Sequence, residues 1–177
     1  MKKIDYKEYS VGNRELLKRQ KTAFLCSRKI PSSILLKTYD WVLDRRDSQK
    51  CIISGFHSPI EKEMLTYFLR GSSPVILAMA RSMPKDFNDD RIKKALSSEK
   101  MLIVSPFTEN ITRATEDTAK IRNQFIVDIS NELFVPFVNK DGLLYDFILS
   151  LLKTDFPVYT INVNENDELI KAGAIAV

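Results

Sequence analysis

Short apolar runs that alternate with amphipathic stretches of ten or more residues constrain this chain most. The clearest instance is residues 99–137, EKMLIVSPFTENITRATEDTAKIRNQFIVDISNELFVPF. An apolar run from Met101 to Val104 stops at Ser105-Pro106-Phe107, and a polar connection leads into a helix-like segment from about Thr112 to Ile129. A second apolar run, Leu133 to Val138, follows at once. Strand, helix, strand with short joints is a βαβ crossover, which makes the strands parallel and lays the helix across them. Within that helix Ile121, Phe125 and Ile129 are spaced four apart and predict an apolar stripe, with Arg113, Lys120 and Arg122 off it. Those cations fall near the carboxyl edge of the sheet, where open α/β folds bind ligands.

The same alternation runs along the rest of the chain. Thr22 to Cys26, Lys50 to Ser54, Pro74 to Ala80 and Pro157 to Val163 read as further strands. Between them, Ile34, Leu35, Thr38, Trp41, Val42 and Arg45 trace one helix, and Pro59 to Leu69, Asp90 to Ser98 and Gly142 to Leu152 give three more. Ahead of the first strand, NRELLKRQ reads as a short amphipathic helix with Asn13 as its N-cap. The expected fold is therefore a Rossmann-like three-layer α/β/α sandwich with a mostly parallel sheet of about six strands. A chain of 177 residues suits one such domain. The expected division is a lead-in helix over 1–20, the Rossmann domain over 21–163 and a C-terminal tail over 164–177.

Hydrophobic residues make up 44% of the chain and charged residues 28%, which excludes a disordered class. No apolar run approaches the ~20 residues that span a bilayer. The N-terminal MKKIDYKEYS has no apolar core of a secretory signal behind it, so a cytoplasmic location without membrane contact is expected. Cys26 and Cys51 each sit in an apolar run and are expected to be reduced and buried. One histidine, His57, assembles no Cys/His metal cluster, and no spacing suggests a carboxylate site, so no metal is expected. Charge is uneven: residues 1–50 hold thirteen Lys and Arg against six Asp and Glu, in a chain whose net charge is only +4. Such a balance is either a solvated basic face or a footprint for polyphosphate, nucleic acid in particular.

In a parallel sheet every strand-to-helix turn lies at the carboxyl edge, so residues distant in sequence converge there. These turns supply Ser27, Arg28 and Lys29; Ser54, Gly55, Phe56 and His57; Arg81 and Lys85; Ser105 to Thr108; and Asn139 to Gly142. Cations, hydroxyls and helix N-termini together suit phosphate. Phe56 and Phe107 each read first as packing against the sheet edge; if exposed, either would stack on a base. The chain has five glycines and neither G-x-G-x-x-G nor G-x-x-x-x-G-K-[ST], so no dinucleotide cofactor is expected. It has no G-x-S-x-G, and Ser54, His57 and Glu61 give triad residue types without a recognisable spacing. The reading therefore favours a binding protein over an enzyme.

Tyr9-x-x-Gly12-Asn13-x-Glu15-Leu16-Leu17 and the strand ending Cys26-Ser27-Arg28-Lys29 resemble the opening of the DNA-processing protein A (DprA/Smf) family, Y-x-G-N-x-E-L-L followed by a G-[ST]-R turn. Ser54-Gly55 with Ile60-Glu61 is similar to its S-G-x-A-x-G-I-D, and Pro84-Lys85 falls at its Y-P-K turn. Ser105-Pro106-Phe107 and Arg122-Asn123-Gln124-Phe125-Ile126 resemble its S-E-[FY]-P and R-N-R-I-I segments. The resemblance implies a Rossmann-like domain of the group shared with lysine-decarboxylase-like (LOG) nucleotide-processing proteins, binding of single-stranded DNA, loading of a recombinase, and a homodimer. It matches Arg28 and Lys85 to the family's DNA-contacting cations, and Arg122 and Asn123 to its pocket motif.

The chain departs from the family at Cys26 for Gly, Pro59 for Gly and Glu61 for Asp. Val138-Asn139-Lys140-Asp141-Gly142-Leu143 stands where the family has a Gly-Ser-rich loop, and where related phosphoribohydrolases have P-G-G-x-G-T-x-x-E. With no winged-helix extension, a shortened relative is expected. The candidate phosphate and DNA contacts are thus Ser27, Arg28, Lys29, Gly55, Phe56, Arg81, Lys85, Arg122 and Asn123. The rival reading is a nucleotide or nucleotide-sugar sensor or enzyme whose pocket is lined by Ser27, Gly55, Arg122 and Asn123. A dimerisation scaffold with a vestigial site is the third.

Overall fold

The computed structural model describes residues 9–108 and 110–177; the basic stretch over 1–8 read for a leader lies outside them. The strands are β1 (Ser10–Gly12), β2 (Lys21–Phe24), β3 (Cys51–Ser54), β4 (Val75–Ala78), β5 (Met101–Val104), β6 (Glu132–Val135), β7 (Val158–Thr160) and β8 (Ile175–Ala176). The helices are α1 (Ser32–Arg46), α2 (Pro59–Arg70), α3 (Asp90–Ser97), α4 (Glu116–Asp128), α5 (Leu143–Leu151) and α6 (Asp167–Lys171). All eight strands form one sheet in the order β1-β5-β4-β3-β2-β6-β7-β8. Every pairing is parallel except that of β1 with β5.

Strand alternation divides the core between two faces. Ala23, Leu25, Ile53, Ile76, Leu102 and Leu133 pack with Phe125 and Ile126 of α4 and Ile148 of α5. Phe24, Ile52, Val75 and Phe134 point the other way, onto Ile34 and Val42 of α1 and Met64 and Phe68 of α2. Met101 and Ile103 receive Ala95 of α3. With both faces covered, the central strands are apolar at successive residues, and the fold is the expected Rossmann-like sandwich. Trp41 is half-buried and packs against the core, stacked on Phe134 with ring centroids 3.9 Å apart and planes 6° apart. Cys26 and Cys51 are buried free thiols. No helix among the described residues is long and apolar enough to cross a membrane.

The chain builds outward from β2 through β3, β4 and β5, and α4 then returns it to the opposite side of β2, where β6 pairs Leu133 against Ala23. This reversal puts the topological switch point between β2 and β6.

The sheet has two strands beyond the six expected. β1 and β8 are three and two residues long, too short to show a two-residue period. The segment expected as an amphipathic α-helix is a 3₁₀ turn, Arg14–Lys18, that buries Leu16. Asn13 caps it, accepting the Glu15 N–H at 3.0 Å and donating to Glu99 O at 2.9 Å. Helix α4 begins at Glu116 rather than Thr112, because Thr115 and Thr118 close a capping box there. Its buried face also differs from the expected stripe: Ile121 is 49% exposed, and Arg122 points inward with Thr118, Phe125 and Ile126.

Candidate functional site

A cleft of about 780 Å³ opens at the switch point, between the ends of β2 and β6 and the N-terminal parts of α2, α4 and α5. The turn after β2 contributes Ser27, Arg28 and Lys29, α4 contributes Lys120, Arg122 and Asn123, and the turn after β6 contributes Asn139, Asp141 and Gly142. Ser27 ties the two turns together: its N–H donates to Phe137 O at 3.1 Å, and its hydroxyl accepts the Asn139 N–H at 2.8 Å. Arg28, Lys29 and Lys120 are exposed at the rim. The acidic lining residues are Glu61, Glu116 and Asp141.

Glu61, in the first turn of α2, is 4% exposed. Its carboxylate accepts the N–H groups of Cys26 at 3.2 Å, His57 at 2.9 Å and Ser58 at 3.1 Å, while Ser58 Oγ accepts the Glu61 N–H at 3.2 Å. One buried side chain thereby caps α2 and fastens the end of β2 to the turn after β3. The anion position at this helix N-terminus is filled from within the chain.

Arg122 is the buried cation of the site, 6% exposed, and lines the cleft. Its Nε–H donates to Asn123 Oδ1 at 2.9 Å, and its Nη groups have no hydrogen-bond partner among the described residues. Burial lowers its pKa, opposed by the charge of Glu61, but a guanidinium stays charged. Gly55 makes this placement feasible: a Cβ there would lie 1.3 Å from Arg122 Nη1. His57, exposed at the cleft wall, has its pKa lowered by partial burial and then by Arg122 and Lys62, opposed by Glu61, with Arg28 the least of the lowering charges.

Of the nine residues expected to bind phosphate or DNA, Ser27, Arg28, Lys29, Arg122 and Asn123 line one cleft, and Gly55 abuts it beneath Arg122. Arg81 and Lys85 are exposed in the loop after β4, on the same edge but outside the cleft lining. Phe56 is corrected: it is 3% exposed and packs against the face covered by α1 and α2, so no ring face is offered to a base. It holds φ +43°, a left-handed conformation that turns its side chain inward while aiming the next two N–H groups at Glu61. Phe107 is buried as well. Sequence reasoning did not count Glu61 and Lys120 among the contacts, although the S-x-x-E spacing of Ser58 and Glu61 is a capping-box signal.

No protein-family model matches the chain, and no curated protein does. Solved structures do. DNA processing protein A from Helicobacter pylori, whose single-stranded DNA binding mode has been described, superposes with a TM-score of 0.73 at 17% identity, over 94% of this chain and 80% of that one. DNA processing protein A from Streptococcus pneumoniae superposes with a TM-score of 0.73 at 19% identity over 95% of this chain, which spans 62% of that protein's length. The fold implied by the order of motifs is the fold observed: that of DNA processing protein A.

Proposed function

We propose that this protein binds single-stranded DNA across the carboxyl edge of its sheet. Arg28 and Lys29 neutralise phosphates at the rim of the cleft, Lys120 does so from α4, and Arg122 supplies recessed donors. Arg81 and Lys85 continue the track, two strands along the edge from the turn that carries Arg28. The observation that carries the reading is the convergence of four cations on the switch-point cleft, in a fold shared with a protein that binds single-stranded DNA. A flexible strand can follow the edge into a recess that a rigid duplex cannot enter. The DNA-binding unit is placed within residues 21–163, acting in the cytoplasm as a homodimer that hands its strand to a recombinase, as the family resemblance implies.

Arg28→Glu combined with Lys85→Glu tests this. Binding of a labelled oligothymidine, read by fluorescence anisotropy, should be abolished while the thermal melt is unchanged, since both side chains are exposed. Milder Ala variants should each reduce the slope of log K against log salt by roughly 0.7. Unchanged affinity in the double variant contradicts the reading.

A further inference from the structure

We infer that the cleft seats the phosphate monoester at the end of a nucleic-acid strand, with Arg122 as its anchor; this rests on the nucleic-acid reading above. Three helix N-termini line the cleft. That of α2 is closed by the carboxylate of Glu61, and that of α4 by the reciprocal Thr115 and Thr118 bonds. The N-terminus of α5 has Gly142 at its N-cap and no side-chain cap, so its first N–H groups are left for a ligand. Arg122 is the second, independent feature. Its guanidinium is almost wholly buried, its Nη donors are unpartnered among the described residues, and it borders the same space.

A terminal phosphate fits this arrangement better than an internal one. An internal phosphodiester carries one negative charge and needs an exit for the chain on both sides. A terminal monoester carries ~1.5 to 2 negative charges at neutral pH and needs one exit. The extra charge compensates a desolvated guanidinium that Glu61 balances only from a distance beyond direct ion-pair contact. Strand continues from the anchored end past Arg28 and Lys29 at the rim, where exposed cations suit diesters. Glu116 and Asp141, also lining the cleft, disfavour additional anions beside the seated one.

The test compares one oligothymidine bearing a 5′-phosphate, a 3′-phosphate, or hydroxyls at both ends, using anisotropy with the full chain. One phosphorylated end should bind about tenfold tighter than the hydroxyl form. Arg122→Gln, and Gly55→Ala as a variant that keeps every charge but displaces the guanidinium, should each erase that difference, with all three oligonucleotides bound alike, and more weakly than by the wild type, through the rim cations. Equal affinity of all three oligonucleotides for the wild-type protein overturns the inference and leaves the single-strand reading standing. Binding of none of them overturns both. Free dTMP is the competitor that separates the sources: displacement of the phosphorylated strand by dTMP at equimolar concentration overturns the strand-end assignment, and resistance to it supports the assignment.

Discussion

Arg122 lies so close over Gly55 that a single Cβ there would meet its Nη1 at 1.3 Å. The two residues are far apart in sequence, in α4 and in the turn after β3, and the guanidinium occupies the space that a side chain at position 55 would need. Gly55→Ala should push the guanidinium out of its seat. Because the obstructing atoms end a flexible side chain, stability should change by less than ~1 kcal/mol, while affinity for single-stranded DNA falls about tenfold. Anisotropy and thermal melting on the same variant separate the two effects.

Glu61→Gln should be costly to the fold. Three backbone N–H groups converge on its carboxylate, and an amide nitrogen in place of one oxygen would face donors with a donor. A buried Arg122 would also lose the opposing charge that favours it. Urea unfolding should show a loss of about 2–4 kcal/mol.

The pH dependence follows from His57, whose folded pKa lies below its ordinary value because of burial first and the charges of Arg122, Lys62 and Arg28 next. The unfolded chain therefore binds more protons between the folded pKa and ~6.5, so this group's contribution makes stability fall as pH drops through that window. A phosphate in the cleft reverses the local field and raises the pKa. Affinity for single-stranded DNA should accordingly increase as pH is lowered from neutrality, with proton uptake on binding. His57→Gln should flatten that dependence in anisotropy titrations at several pH values.

Gly12→Ala tests the lead-in strand. Gly12 has φ +106°, and a Cβ would stand 2.3 Å from the carbonyl oxygen of Met101. Strain and clash should together cost ~2–3 kcal/mol in urea unfolding. Affinity per folded molecule should be unaffected, because the residue is remote from the cleft lining.

Much of this architecture was legible in the chain because both faces of the central sheet are covered. Runs such as Cys51 to Ile53 and Met101 to Val104 are then apolar throughout and stand out from their flanks. The edge was legible as a set of turns, since a parallel sheet forces them to converge. Side-chain direction was not. Periodicity puts Arg122 off the stripe of Ile121, Phe125 and Ile129, yet the fold rotates the helix so that Arg122 turns in and Ile121 turns out. Phe56, in a turn, left both stacking on a base and packing at the sheet edge open, and its positive φ sends the ring into the core. Glu61 stood out only as a triad residue type and as part of the Ser54-Gly55 to Ile60-Glu61 resemblance; its grip on Cys26, at the end of another strand, depends on a contact that only the folded sheet creates.

The central claim is tested most directly by anisotropy of a labelled oligothymidine against a duplex of equal length, each at low and moderate salt. The account predicts tight binding of the single strand, weaker binding of the duplex, and a marked loss of single-strand affinity as salt rises. Equal binding of both, or no binding of the single strand at micromolar protein, would contradict it.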